Sequence, residues 1–177
     1  MDELTLIQNC VKGDPVAQRK LFEKFAPKMM TVCLRYLKDV QEAEDVLQDG
    51  FIKIFQKIDA YQNTGSFEGW MRRIMVNTAL DQIRKNRKMG FSDEFDAVEY
   101  RVENADFTFE NLVAEDLMKL IANLPDGYKV VFNMFAIEGY SHKEIAEVLG
   151  ISENTSKSQF SRARAYLRNK LETIEIE

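Results

Sequence analysis

Apolar residues recur at three- and four-residue intervals along most of this chain, the spacing that gathers side chains on one face of a helix. The pattern runs over Leu4 to Val11, then from Pro15 to Leu37 through Leu21, Phe22, Phe25, Met29, Val32, Cys33 and Tyr36. It resumes from Gln41 to Ile58 through Ala43, Val46, Leu47, Phe51, Ile54 and Phe55, and from Phe67 to Arg87 through Trp70, Ile74, Met75, Ala79 and Ile83. Four helices sharing one core are predicted. Residues 91–107, FSDEFDAVEYRVENADF, keep no such period and carry an acidic run, so they read as a solvated linker and a domain boundary. Beyond them a helix is expected over roughly Phe109 to Asn123 and another from Pro125 through Ile137.

The stretch Ser141 to Arg168 reads as two helices joined by a tight turn. Ser141 followed by Glu144 is a capping-box pattern, with the serine hydroxyl accepting from the glutamate backbone N–H and the carboxylate accepting from the serine N–H. Ile145, Ala146 and Leu149 give this helix an apolar face, and Gly150 can take the left-handed conformation that ends it. Ile151 pins the turn, and Ser152 caps a second helix that buries Phe160, Ala163 and Leu167. Its other side presents Lys157, Ser158, Gln159, Ser161, Arg162 and Arg164, a mixture of phosphate-binding charge and groups able to hydrogen-bond base edges. A helix-turn-helix presents such groups from its second helix. An ordinary solvated surface is the alternative for this segment taken alone.

Composition narrows the picture without deciding it. The 177 residues, 45% of them hydrophobic, suit one domain or two small ones, and the abundance of helix formers beside three prolines favours an all-α protein. There is no 18-residue apolar run and no signal-peptide pattern, so a cytoplasmic protein without membrane insertion is expected. Cys10 and Cys33 lack metal-site spacing and the single His142 cannot complete a site, so both cysteines read as structural, with no metal and no cofactor.

A net charge of −5 argues against nucleic acid until its distribution is drawn. Residues 70–90 hold six basic groups against one acidic, residues 91–118 one against nine, and residues 141–171 six against three. Two basic islands flank an acidic bridge. The bridge is either a solubilising tether or a segment suited to a positively charged channel of a larger partner.

The first island carries its own chemistry. In Tyr61 to Lys88 a loop of Asn63, Thr64, Ser66 and Phe67 leads into a helix with Trp70, Arg72, Arg73, Asn77, Arg84, Lys85, Arg87 and Lys88. Cations bind phosphates, an aromatic wedge supports an unstacked base, and small polar groups line a pocket for it. Trp70 has a core role as the alternative. In the preceding helix Glu44, Asp45, Gln48 and Asp49 form an acidic stripe opposite Val46, Leu47 and Phe51, either simply solvated or a docking face for a basic partner.

With these segments in view, the chain resembles the extracytoplasmic-function (group IV) sigma factors of bacterial RNA polymerase, of the sigma-70 family, over nearly its whole length. The family's D-x-x-x-A-E-D-x-x-Q-[DE]-x-F pattern is present as Asp39, Ala43, Glu44, Asp45, Gln48, Asp49 and Phe51. A second, F-x-x-W-[LM]-x-R-I-x-x-N-x-x-x-D-x-x-R, is present as Phe67, Trp70, Met71, Arg73, Ile74, Asn77, Asp81 and Arg84. In the C-terminal half the family's L-P-x-x-x-[RK]-x-V-[FL] runs from Leu124 to Phe132, and E-G-x-S-x-x-E-I-A-E-x-L-G-I-S from Glu138 to Ser152.

The resemblance implies a sigma-2 domain over residues 1–90, an extended acidic linker over 91–107 that passes through the polymerase active-site channel, and a sigma-4 domain over 108–177. It implies a non-catalytic transcription initiation factor whose partners are core RNA polymerase, at the clamp helices of its largest subunit and its flap region, promoter DNA, and an anti-sigma factor. Polymerase docking would fall on Glu44, Asp45, Gln48 and Asp49. Recognition and melting of the −10 element would fall on Asn63, Thr64, Ser66, Phe67, Trp70, Arg73, Asn77, Arg84 and Lys85. Reading of the −35 element would fall on Lys157, Ser158, Ser161 and Arg162, with Gln159 and Arg164 beside them.

Two departures from the family's T-V-K-S-R stand out: Ser156 where it has valine, and Gln159 where it has arginine. A lost buried valine costs on the order of 1 to 3 kcal/mol unless the hydroxyl bonds a carbonyl one turn earlier. Gly50 inside the docking helix weakens it by up to about 1 kcal/mol relative to alanine. A stand-alone helix-turn-helix regulator is the competing function. An enzyme finds no support, because the chain shows no nucleophile–base pair, phosphate-cradling glycine loop or metal-ligand cluster.

Overall fold

The computed structural model describes residues 2–86 and 114–174. Every regular element among them is helical, and the chain divides at Asn86 into two compact units. The linker expected over 91–107 lies outside the described residues.

In the first unit each helix starts on a residue that caps it. Asp2 accepts from Thr5 N–H at 2.7 Å before α1 (Glu3–Val11), and those bonds hold its carboxyl below the usual carboxylate range. Asp14 accepts from Val16 N–H at 2.9 Å before α2 (Pro15–Tyr36), whose first residue is a proline that needs no donor there. Asp39 accepts from Gln41 N–H at 2.7 Å and Glu42 N–H at 3.2 Å before α3 (Val40–Lys57). Asp39 in the first motif therefore has a structural role. After a short 3₁₀ turn (Ile58–Ala60) and an exposed loop, Ser66 accepts from Gly69 N–H at 3.2 Å to start α4 (Phe67–Asn86).

Helices α2, α3 and α4 pack mutually and α1 lies on α2. Leu21, Met29, Cys33, Ala43, Ile54, Met71, Met75, Ala79 and Leu80 are fully buried between them. Cys10 and Cys33 are free and buried, and burial pushes the Cys33 thiol up to about 12, which keeps it protonated and inert.

Gly50 has a packing role beside its helix-weakening one. It is buried where α3 meets α4, and a Cβ there would overlap Met75 Sδ and stand 2.7 Å from its Cε. The residue that weakens α3 as an isolated helix thus makes room for the side chain that joins α3 to α4.

The second unit holds α5 (Ala114–Ala122), α6 (Asp126–Phe132), a π-helical turn (Asn133–Ile137), α7 (His142–Leu149) and α8 (Glu153–Ile174). Pro125 stands just before α6 as its N-cap, and the helix expected to run through Ile137 changes to a wider turn at Asn133. The Ser141–Glu144 capping box is present, with Glu144 N–H donating to Ser141 Oγ at 3.2 Å and Ser141 N–H donating to Glu144 Oε2 at 2.8 Å. Gly150 takes φ 67° and Ile151 N–H closes on the Ala146 carbonyl. Ser152 Oγ accepts from Thr155 N–H at 2.9 Å at the start of α8. Helix α8 lies against α5, α6 and α7, with a core of Ile121, Leu124, Tyr128, Phe132, Ala163 and Leu167.

Gly50→Ala tests the packing of α3 on α4. Overpacking costs about 1 to 3 kcal/mol and the gain in helix propensity offsets about 1 kcal/mol of it. A net loss of up to about 2 kcal/mol is expected in urea unfolding; a stabilised variant would show that Met75 moves aside freely.

Candidate nucleic-acid interfaces and docking face

Helix α3 keeps Ala43, Val46, Gly50, Phe51 and Ile54 inward, which turns Glu44, Asp45, Gln48 and Asp49 to solvent together. Ile52 stands on the same face at 55% exposure, one turn beyond Gln48 and Asp49. The acidic stripe therefore ends beside an exposed apolar side chain. Periodicity alone passes over Ile52; the signal was an apolar residue out of phase with its helix's buried set.

The loop before α4 is exposed from Gln62 to Ser66, yet its path is fixed at several points. Asn63 sits at φ 55°, a left-handed conformation that asparagine tolerates better than most residues, and Gly65 at φ 86°. The Tyr61 hydroxyl donates to the Gly65 carbonyl at 2.8 Å, and Ser66 caps the helix. Under the loop, Tyr61, Phe67 and Trp70 form a ring cluster, with centroids 5.0 Å apart for Tyr61–Phe67, 5.6 Å for Tyr61–Trp70 and 5.5 Å for the stacked pair Phe67–Trp70.

Phe67 departs from its expected place. At 1% exposure it is the inner anchor of the cluster, edge-on to Phe25 at 5.9 Å, and it offers no surface to a ligand. Being the first residue of α4, it is turned by helix geometry onto the buried stripe that continues through Met71, whereas loop composition suggested a pocket residue. Trp70 is half-buried. It belongs neither to the interior nor to open solvent, because Phe67 and Tyr61 brace it from within.

Along α4, Trp70, Arg73, Asn77, Asp81 and Arg84 follow at three- and four-residue steps and so share one face, with Arg73, Asn77, Arg84 and the neighbouring Lys85 exposed. Asp81 holds Arg84 at 3.0 Å and Lys53 of α3 at 3.6 Å, and Lys53 Nζ also donates to Thr78 Oγ1 at 3.2 Å. Asn86 Nδ2 donates to Glu42 Oε1 at 2.7 Å. These contacts tie the basic end of α4 to the helix that carries the acidic stripe.

In the second unit, α8 turns Ser156, Gln159, Ala163 and Leu167 inward. Lys157 and Ser158 are exposed, and Ser161, Arg162 and Arg164 half-buried, on the outward side. Lys157 pairs with Glu153 at 2.9 Å, a hydrogen bond that also lowers the Glu153 carboxyl. Asn154, one turn before Lys157 and Ser158, is exposed between them on the same face. Sequence spacing passes over Asn154, although its place in the first turn of a reading helix was the available signal.

Gln159 contradicts its expected exposure. It is 1% exposed, and its Oε1 is buried without a hydrogen-bond partner, so it cannot reach a base edge. One turn before Ala163, it falls on the buried stripe; its polarity had suggested solvent. Ser156 is 0% exposed, as the family's valine pattern implied, but its hydroxyl meets His142 Nδ1 at 2.9 Å on α7. The bond to a carbonyl one turn earlier is replaced by one between helices. The His142 ring stacks on Phe135 at 4.3 Å and 14° and lies edge-on to Phe160 at 5.9 Å.

Among the described residues no group of three or more His, Cys, Asp and Glu could hold a metal ion, and no helix is long and apolar enough to cross a membrane.

This arrangement of two helical units, one ending in a tryptophan-bearing basic helix and the other in a helix-turn-helix, matches known proteins along its length. Residues 21–89 match the family model for sigma-70 region 2, and residues 114–167 that for sigma-70 region 4. The ECF RNA polymerase sigma factor SigW of Bacillus subtilis is 30% identical, covering 95% of this chain and 96% of its own. The ECF RNA polymerase sigma-E factor of Escherichia coli K12 is 27% identical, over 98% of this chain and 96% of its own. In fold, the chain is similar to CnrH, solved in complex with the cytosolic domain of CnrY (TM-score 0.54, 22% identity, 96% of each chain). It is likewise similar to the sigma factor RpoE of Bartonella quintana, solved with the anti-sigma factor NepR (TM-score 0.55, 22% identity, 87% of this chain and 96% of that one).

The chain belongs to the sigma-70 family, among its extracytoplasmic-function RNA polymerase sigma factors. It is a transcription initiation factor that directs RNA polymerase to promoters. A stand-alone helix-turn-helix regulator is overturned, because the region 2 match covers the first unit from residue 21 onward and the relatives are RNA polymerase sigma factors.

The chain's single histidine makes one property of the second unit directly readable. Desolvation lowers His142 below its ordinary value, Lys157 lowers it further, and Glu153 opposes them. The folded state therefore binds the proton less readily than the unfolded chain, and this contribution to stability is complete above about pH 6.5 and lost as pH falls below it. Proton NMR of the ring should give a lower midpoint in the native chain than in urea; equal midpoints would show that the ring is not desolvated.

Proposed function

We propose that the first unit docks on core polymerase through the outer face of α3 and handles the −10 element with the loop and outer face of α4, while the second unit reads the −35 element with α8. What carries this reading is that Glu44, Asp45, Gln48 and Asp49 on α3, Arg73 and Asn77 on α4, and Lys157 and Ser158 on α8 are exposed on helices whose other faces are buried, within stretches that match regions 2 and 4.

On α3, Glu44, Asp45, Gln48 and Asp49 meet a basic partner surface, and Ile52 supplies the desolvated contact that charged rims lack. At α4, Trp70 offers a braced aromatic edge to an unstacked base, and Asn63, Thr64 and Ser66 offer polar groups on a loop already ordered by the Tyr61 hydroxyl. Arg73, Arg84 and Lys85 hold phosphates and Asn77 contacts the opened strand. Opening a base pair costs a few kcal/mol, and contacts present before DNA arrives leave less to be ordered at that moment. On α8, Lys157 and Arg162 hold phosphate or base acceptors, with Arg164 at the margin, and Asn154, Ser158 and Ser161 reach base edges. The chain performs no catalysis; the polymerase supplies the chemistry, and the pair act in the cytoplasm. An anti-sigma factor is a further partner, supported by the one held by the Bartonella quintana neighbour.

The chain purified with core polymerase should give promoter-dependent transcripts from genomic fragments, with shared −35 and −10 elements upstream of the starts. No such transcript from any fragment would overturn the reading. Lys157→Ala should weaken holoenzyme binding to those promoters by about tenfold at fixed ionic strength and lower the slope of log affinity against log salt; unchanged affinity would remove Lys157 from the readers.

A further inference from the structure

Helix α8 meets its unit unevenly. From Phe160 onward it is held by rings and aliphatic side chains, with Phe160 against Phe132 at 5.7 Å and Phe135 at 4.6 Å, and Ala163 and Leu167 fully buried. Its first two turns, which carry Asn154, Lys157 and Ser158, turn inward only polar groups, Ser156 and Gln159. No apolar side chain of these two turns is among the fully buried ones, and apolar burial, being non-directional, fixes the rotation of that end less sharply than a hydrogen bond does. The directional contact there is the hydrogen bond between Ser156 Oγ and His142 Nδ1 at 2.9 Å.

The histidine can set that rotation because it is itself fixed. It is the first residue of α7, between the two residues of the Ser141–Glu144 capping box, and its ring is stacked on Phe135 of the π-helical turn. We propose that His142, outside the reading face, is a positioning residue for −35 recognition, holding the buried Ser156 hydroxyl and so fixing the direction in which the first turns of α8 present Lys157 and Ser158.

The geometry makes the effect appreciable. Side-chain ends lie about 5 to 6 Å from a helix axis, so a rotation of about 20° carries them about 2 Å, enough to break a bidentate contact to a base edge. Phosphate contacts tolerate such a shift better than base contacts, since they carry position and not sequence. Losing the bond should therefore lower specificity more than overall affinity. The inference rests on α8 being the −35 reader.

The test uses holoenzyme reconstituted with the full chain. Its affinity is measured for a promoter duplex found by the transcript mapping above and for the same duplex with its −35 element scrambled. His142→Phe keeps a ring on Phe135 and removes the hydrogen-bonding nitrogen; Ser156→Ala removes the hydroxyl; His142→Asn keeps a polar atom near the place of Nδ1. Each of the first two should cut the cognate-to-scrambled ratio by about fivefold, the value of one hydrogen bond. The double variant should fall no further than either single one, and His142→Asn should stay within about twofold of wild type. A general loosening of the unit would lower both affinities together and make the double variant worse.

An unchanged ratio in His142→Phe, or additive losses in the double variant, overturns the proposal. If Lys157→Ala also leaves promoter affinity unchanged, the −35 reading of α8 fails with it; if Lys157→Ala weakens binding and His142→Phe does not alter the ratio, only the present inference fails. Should His142→Phe not fold, the imidazole nitrogen shifts of the single histidine in Ser156→Ala decide. They move if the bond exists, and identical shifts reject it.

Discussion

Met75 seated where Gly50 has no side chain is the contact on which the working geometry of the first unit depends. It brings α3 and α4 close enough for Lys53 to reach Asp81 and Thr78, and for Asn86 to reach Glu42. Two helices with different proposed partners, polymerase for one and DNA for the other, are thereby held as one rigid pair. Interiors are packed like crystals and pass displacement on to their neighbours. A shift at the docking helix would therefore be felt by the residues proposed to hold the opened strand.

The second unit meets a related problem with polar chemistry. A reading helix must keep one face wet, and the opposite face is its only hold on the rest of the unit. In α8 that hold is aliphatic and aromatic over the later turns and polar at the start, where Ser156 meets His142. A buried hydroxyl without a partner costs about 1 to 3 kcal/mol, so the histidine converts a liability into a directional link. Gln159 has a buried Oε1 with no partner, and nothing in the structure compensates it.

Helix positions and starts were largely legible in the chain, because caps and period are local. Ser141 and Ser152 each cap the helix that follows within three residues, and Gly150 ends α7 by its own backbone preference, whereas the caps at Asp39 and Ser66 emerged only in the structure. The surface stripes were legible as well: Glu44, Asp45, Gln48 and Asp49 face outward because Ala43, Val46 and Phe51 face inward. Composition misled at Gln159 and Phe67, where residue type suggested a surface group or a pocket and helix phase put both inside. Asn154, Ile52 and Tyr61 were passed over for the complementary reason, since their significance lies in what stands beside them in space.

By itself the sequence determined that the chain is helical, where its helices begin, which faces stay wet, and which family it resembles. All of these follow from interactions spanning a few residues. Only the tertiary structure decided what Gly50 is for, that Tyr61 orders the loop before α4, and that Ser156 finds its partner fourteen positions away on another helix. Such pairings depend on how packed helices are rotated against one another, through contacts between residues distant in the chain that no local pattern encodes.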